Sequence, residues 1–265
     1  MQPMAMSQSQ PLAGRVALIT GVSRRKGIGF ADARRLAALG ADLFIQSWSP
    51  FDAAQPWGAD DGGIVAMLTE LRMTGRRVEH LAIDFRVADA PAQLVGAAVA
   101  AFGHVDILIA NHAYSVSGML EDLTAESIDA HLSVNVRGSL LLVQAFAAQH
   151  NASHAGGRVI LMTSGQHGTP MPGELAYAAS KGALHQITKS LALHLAAQRI
   201  TVNTIDPGPT DTGWATPETF AWVQENEPMG RWGQPDDAAR LIAWLTTDDA
   251  QWVTGQVITS AGAFQ

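Results

Sequence analysis

Ser164, Tyr177 and Lys181 have a spacing that could move a proton. Tyr177 is one of two tyrosines in the chain, thirteen residues after Ser164 and four before Lys181. On a helix, residues i and i+4 share a face, so the phenol and the ammonium project into the same space. An ammonium beside a phenol favours the phenolate, which predicts that Lys181 draws the Tyr177 pKa from about 10 toward working pH. A phenol tuned in this way exchanges a proton with a substrate oxygen. Ser164, one strand and loop earlier, supplies a hydroxyl that can fix and polarise that same oxygen. Together the three fit reduction of a carbonyl or its reverse.

The elements that must position them are legible as an alternation. Short, continuous Val/Ile/Leu runs at 15–20, 42–47, 78–83, 105–110, 157–163, 200–205 and 256–260 are separated by longer helical patterns. Runs that do not alternate apolar with polar residues suit parallel strands buried on both faces. Helices are expected at 27–39, 124–150, 176–197 and 235–247. Strand and helix alternating this often predict an α/β fold, a Rossmann-like, doubly wound parallel sheet of about seven strands in a three-layer α/β/α sandwich. No linker or internal repeat divides the chain, so residues 15–265 are expected to form one domain. Residues 1–14, rich in Gln, Ser and Pro, are expected to be a flexible tail, and 48–63 a long surface loop.

A second cluster of chemistry follows the first strand. Thr20-Gly21-Val22-Ser23-Arg24-Arg25-Lys26-Gly27-Ile28-Gly29 leads straight into a helix. Glycines at a strand-to-helix turn let backbone N–H groups approach a pyrophosphate, and the helix N-terminus adds a favourable dipole. A tight loop would also use glycine; the place of this turn between first strand and first helix is what favours a dinucleotide. An NAD site of this kind usually has Asp or Glu at the end of the second strand, for the ribose 2′-hydroxyl. Here that strand ends Gln46-Ser47-Trp48, while Arg24, Arg25 and Lys26 crowd the phosphate loop. The absent carboxylate and the local cations favour a 2′-phosphate, hence NADP(H) over NAD(H). A solvated loop tip is the plainer use of three cations. Asp84, with Phe85 after the third strand, could accept from an adenine amino group or simply form a turn. Asn111 and Ala113, after the fourth strand, could hold backbone near the adenosine ribose. His112 between them is a titrating group whose ordinary use in a loop is structural.

Composition narrows the class. The chain has 265 residues, 47% of them hydrophobic, a formal net charge of −7 and no cysteine. The charge argues against nucleic acid or an anionic membrane as the main partner. No apolar run approaches the roughly 20 residues needed to span a bilayer, and a cysteine-free chain suits a cytoplasmic setting. No metal site is expected.

From about residue 15 to 264 the chain resembles the short-chain dehydrogenase/reductase family, in its single-domain form with Tyr-x-x-x-Lys. The resemblance rests on Thr20, Gly21, Gly27 and Gly29, on Asp84, Asn111, Asn135, Ser164, Tyr177 and Lys181, and on Pro207-Gly208 with Thr210 and Thr212. The stretches 230–235 and 254–256 match its C-terminal pattern. It implies an NADP(H)-dependent oxidoreductase, similar to 3-oxoacyl-carrier-protein reductases, that interconverts a ketone and a secondary alcohol by hydride transfer. Ser164 would bind the substrate oxygen and Tyr177 would give it a proton. Lys181 would hold the nicotinamide ribose, Asn135 a water linking Lys181 to solvent, and 207–212 the nicotinamide amide. It also implies a homotetramer or homodimer joined through the helices at 124–150 and 176–197. The segment 211–229, with Trp214, Phe220 and Trp222 and no Lys or Arg, is expected to be a lid over an apolar pocket. Enoyl reductases of the family place six residues, not three, between Tyr and Lys. A non-catalytic NADP(H)-sensing protein on the same fold is the alternative, although such proteins typically lose one of Ser, Tyr or Lys. The chain departs from the pattern in three ways: two extra residues between Gly21 and Gly27, His112-Ala113 in place of Ala-Gly, and Ala261-Gly262-Ala263 in place of Asp-Gly-Gly.

Overall fold

A computed structural model describes residues 10–151 and 156–264. Seven strands form one sheet in the order β3-β2-β1-β4-β5-β6-β7, with every neighbouring pair parallel. They are β1 (Val16–Ile19), β2 (Asp42–Ser47), β3 (Val78–Ala82), β4 (Ile107–Ala110), β5 (Arg158–Met162), β6 (Thr201–Asp206) and β7 (Val257–Thr259). Helices α1 (Ile28–Ala38), α2 (Ser49–Ala53), α3 (Gly63–Arg72), α4 (Ala90–Phe102), α5 (Ala125–His131), α6 (Ser139–Gln149), α7 (Leu175–Leu195), α8 (Pro217–Asn226) and α9 (Pro235–Thr246) connect or follow them.

The continuous apolar runs are explained by the two-residue period of a strand. Ala17 and Ile19 point to one side, into a core shared with Phe30 and Leu36 of α1, Met67 of α3 and Ile242 of α9. Val16 and Leu18 point to the other, among Leu94 of α4, Phe146 of α6 and Leu184 of α7. No face of a central strand meets water, so no polar alternation is needed. No helix among the described residues is long and apolar enough to cross a membrane.

Three expectations are revised. Residues 1–9 of the expected tail lie outside the described residues, but 10–14 form a turn that buries Leu12 in the core and bonds its amide to Leu39 O. The expected surface loop 48–63 contains α2, started by Ser49-Pro50, and buries Asp52. The expected single helix 124–150 is three pieces: α5, a π-helical stretch over Leu132–Gly138, and α6. The widened turn frees Val134 O, which accepts from His112 Nε2, and it turns Asn135 fully inward. π-turns inside α-helices concentrate at functional sites.

Among the described residues, one carboxyl is buried with both oxygens unpaired. Asp32 on α1 is fully buried and neither oxygen is hydrogen-bonded. Burial raises its carboxyl well above the usual range. In the unfolded chain it ionises near pH 3.9, so the folded state binds the proton more tightly. Its contribution is most favourable below the unfolded pKa and declines as pH rises toward the folded one. Asp32→Val is therefore expected to stabilise the protein by about 1–3 kcal/mol at pH 8. The gain should be smaller at pH 5, read from urea midpoints at both. An equal gain at the two pH values would show that the carboxyl does not titrate this way.

Candidate active site

Apart from Asn135 and from Ser47, the last residue of β2, the residues singled out from the sequence for binding or chemistry come from the loop or helix that follows a strand at its C-terminal end. In a doubly wound sheet the strand order reverses between β1 and β4, and the crevice at that switch point is where such folds bind ligands.

The glycine turn is docked against β4 by close contacts. Gly21 has φ 71°, a left-handed conformation that favours glycine, and its amide donates to Gln46 Oε1 at 2.9 Å. Asn111 Nδ2 donates to Thr20 O at 3.1 Å and to Gly21 O at 3.3 Å. Gly27 is the N-cap of α1 and no side chain caps it, so the amides that open with Ile28 and Gly29 remain available to an anion. That donor set fits a dinucleotide pyrophosphate. Asn111 acts here by holding the turn, while Ala113 is exposed beyond it.

Of the basic triplet, Arg24 is largely buried, while Arg25 and Lys26 are exposed at the loop tip and paired there. Arg24 donates to Thr212 O, lies 5.2 Å over the Trp57 ring and stands 3.9 Å from Asp52. Ser23 Oγ and Trp57 Nε1 both donate to Asp52, at 2.5 and 3.2 Å. The Arg25 amide donates to Asp60, and its guanidinium lies 3.7 Å from Glu70. Lys26 pairs with Asp211 at 2.8 Å. Arg24 and Lys26 thus reach across the cleft to the segment after β6. Asp52 is an acid close to the β2 end that sequence inspection missed. Ser-Pro ahead of it was the available signal, because Pro is favoured in the first turn of a helix.

Of the remaining cofactor candidates, Ser47 is buried and its Oγ is 2.8 Å from His80 Nε2. Asp84 is held by Arg86, whose amide and guanidinium donate to its two oxygens at 2.9 and 2.8 Å. Phe85 is buried with its ring 4.2 Å from His112. Past β6, Gly208 has φ 61° and packs so closely on Ala261 that an added Cβ would lie 2.3 Å from the Ala261 Cβ. The Thr210 hydroxyl donates to Pro207 O at 3.1 Å, and the Thr212 amide to Thr210 O at 2.9 Å. Segment 211–229 contains α8. It is anchored by Phe220 stacked on buried Trp232 at 4.9 Å and by Trp232 Nε1 donating to Phe220 O.

The proton-transfer residues do converge. The Ser164 hydroxyl stands near enough to the Tyr177 phenol to favour its ionised form. The Thr163 hydroxyl donates to Lys181 O at 3.0 Å, fixing the β5 end against α7. Lys181 is buried, its ammonium donates to Met162 O at 2.9 Å and lies 5.6 Å from the Tyr177 ring centre. The expected depression of the phenol is not found. Burial pushes Tyr177 up to about 12, which outweighs the influence of the Ser164 hydroxyl in favour of the phenolate, and burial lowers Lys181 to about 8. Removal from water disfavours both charges more than they favour each other. Tyr177 keeps part of its surface exposed, although burial governs its hydroxyl. At neutral pH Tyr177 is therefore a protonated donor.

Asn135 is engaged with protein. Its Oδ1 accepts from Tyr114 N at 2.7 Å, and its Nδ2 donates to Tyr114 O and Ser180 Oγ, both at 2.9 Å. Ser180 in turn donates to Tyr177 O at 2.7 Å. The β4–α5 loop is thus tied to the helix that carries Tyr177. His112 and His131 fasten the same loop. His112 Nε2 donates to Val134 O, its Nδ1 lies 2.7 Å from the Thr20 hydroxyl, and burial lowers its pKa to about 3. His131 Nε2 accepts from Val116 N at 3.3 Å. Both imidazoles are structural and neutral. Among the described residues, no group of His, Asp and Glu could hold a metal ion.

Known proteins resemble the chain along nearly its full length. A family model described as enoyl-(acyl carrier protein) reductase matches residues 21–263. The uncharacterized oxidoreductase YjdA of Bacillus subtilis (strain 168) is 43% identical over 260 residues, 98% of this chain and 99% of that protein. A short-chain dehydrogenase/reductase from Serratia marcescens BCRC 10948 superposes with a TM-score of 0.84 at 33% identity, covering 96% of this chain and 99% of the other. A blue fluorescent protein from a metagenomic library, solved in complex with NADPH, superposes at 0.85 with 32% identity and the same coverage.

Proposed function

The chain belongs to the short-chain dehydrogenase/reductase family of oxidoreductases, and from that premise we propose that it reduces a ketone to a secondary alcohol with NADPH, or runs the reverse reaction. The observation that carries this reading is the convergence of Ser164 and Tyr177 beside buried Lys181, whose ammonium lies 5.6 Å from the Tyr177 ring centre. The nicotinamide would supply the hydride for the carbonyl carbon. Ser164 would hold the substrate oxygen, and Tyr177, protonated at neutral pH, would release a proton to it. Lys181 would orient the nicotinamide ribose, while Asn135 would keep the loop wall fixed and hold a water toward Lys181. Residues 207–212 would face the nicotinamide amide. Three residues between Tyr177 and Lys181, not six, favour carbonyl over enoyl reduction. Segment 211–229 would act as the lid.

NADP(H) is favoured by the acid-free end of β2 and by the Arg24–Lys26 cluster, and the NADPH complex of one structural relative is in keeping with it. Asp52 opposes it, because it already neutralises Arg24. On this reading the 2′-phosphate takes Arg24 over from Asp52, with Ser23 beside it. Nicotinamide absorbance followed with a ketone panel tests both points. Turnover is expected, with kcat/KM for NADPH about tenfold or more above NADH, as one charge-assisted hydrogen bond implies. Arg24→Ala should narrow that gap. Cofactor binding without turnover of any ketone would favour a non-catalytic sensor. A homotetramer or homodimer is proposed through the α6–α7 face, where Leu140, Val143, Ala147 and Leu191 line an apolar groove.

A further inference from the structure

Glu174 stands at the rim of this site without a task. It is the N-cap of α7, three residues before Tyr177, and its side chain makes no capping bond. Its main chain is pinned: Gly118 pairs with Glu174 in a parallel bridge, and Gly118 N donates to Gly173 O at 2.8 Å. The carboxyl has neither a hydrogen bond nor an ion pair with any described residue. It does act electrostatically on the Tyr177 phenol, as Asp206 does from the end of β6. A carboxyl that has lost part of its water and gained no protein donor interacts most favourably with a donor brought by a ligand. Its own raised pKa reflects the same desolvation.

The surroundings add a second, independent observation. Segment 211–229 contributes Asp211, Glu218, Glu225 and Glu227 and no Lys or Arg. The amine nearest the chemistry, Lys181, is buried and bonded to Met162 O. The cations that reach this side of the cleft are already engaged, Lys26 with Asp211 at 2.8 Å and Arg24 with Thr212 O.

We propose that Glu174 is a specificity-determining residue, which accepts a hydrogen bond from a hydroxyl or ammonium donor carried by the substrate near its carbonyl and selects against carboxylate- or phosphate-bearing ketones. The inference rests on the ketone-reductase reading above and names the substrate class of that same site.

The test compares four ketones of one skeleton with NADPH: α-hydroxy, α-ammonium, unsubstituted and carboxylate-bearing. Each is assayed with the parent, Glu174→Gln and Glu174→Leu. The parent is expected to favour at least one donor-bearing ketone over the unsubstituted one by about tenfold in kcat/KM. Whether the hydroxy or the ammonium arm leads identifies the source of the donor. Glu174→Leu should collapse that ratio toward one. Glu174→Gln, which keeps an acceptor oxygen, should retain the hydroxyketone preference, lose any ammonium preference and raise the carboxylate arm about tenfold. The pH profile reports separately whether the carboxylate lies near the reacting phenol. Here removal of the negative charge lowers the Tyr177 pKa, so the alkaline fall of reduction should shift to lower pH in Glu174→Gln. Identical substrate ratios in parent and variants, with turnover intact, would overturn the assignment and leave the reductase reading standing. No turnover of any ketone by the parent would overturn that reading and this inference with it.

Discussion

Tyr177→Phe is expected to lower turnover by about 10²–10⁴-fold, the range for loss of a positioned general acid, while cofactor affinity changes only a few-fold. Phenylalanine fills nearly the same volume, so the ring stays packed and only the hydroxyl beside Ser164 is lost. Thermal unfolding of the variant should therefore lie close to the parent. The charge state adds a directional test. Burial holds the phenol at about 12, so reduction, which needs the protonated form, should not fall through loss of this proton until strongly alkaline pH. Alcohol oxidation needs the phenolate and should climb with pH over the same range. Steady-state rates in both directions across pH check this, and retained activity in Tyr177→Phe would sink the proton-donor role.

Gly29→Ala is expected to weaken cofactor binding by about 100-fold, the scale of a small misplacement of binding groups, and to cost about 1–3 kcal/mol of stability through overpacking. A Cβ at position 29 would lie 2.6 Å from Asn111 Nδ2 and 2.7 Å from Gly21 O. Neither neighbour can yield cheaply. Asn111 Nδ2 donates to Thr20 O and Gly21 O, and Gly21 is itself bonded through its amide to Gln46. Relief of the contact moves the turn whose amides are to meet the phosphates. Gly96→Ala is the control: on α4, with nothing within 4 Å of an added Cβ, it should be neutral or stabilising by up to about 1 kcal/mol. Cofactor titrations by fluorescence, run beside urea unfolding, separate the two effects. Unchanged affinity in Gly29→Ala would show that the turn does not carry the cofactor.

Much of this was legible because the signals are local. Strands buried on both faces read as unbroken apolar runs, and the expected strand 42–47 coincides with β2. Helix α7 falls one residue before and two short of its expected bounds, since the last turn tightens to a 3₁₀ form over Ala196–Gln198. The Ser164, Tyr177 and Lys181 set could be found because one helix turn and one strand end bring it together. The π-helical stretch around Asn135 could not be read, because the partner of its freed carbonyl is distant in sequence: His112 Nε2 reaches Val134 O from the β4 end. Asp52 was passed over as part of a surface loop; its partners Ser23 and Arg24 lie on the other side of β2 in sequence.

The sequence by itself determined the sheet, the order of its elements and the identity of the groups that meet at its C-terminal edge, because periodicity and short spacings are properties of neighbouring residues. The tertiary structure alone decided what those groups are electrically. Whether Lys181 lowers the phenol or burial raises it depends on how much protein displaces water around both, and here displacement wins. Whether Arg24 and Lys26 are free cations depends on Asp52 and on Asp211, the latter 185 residues beyond Lys26. Desolvation and long-range pairing are sums over everything packed nearby, and no window of sequence contains that sum.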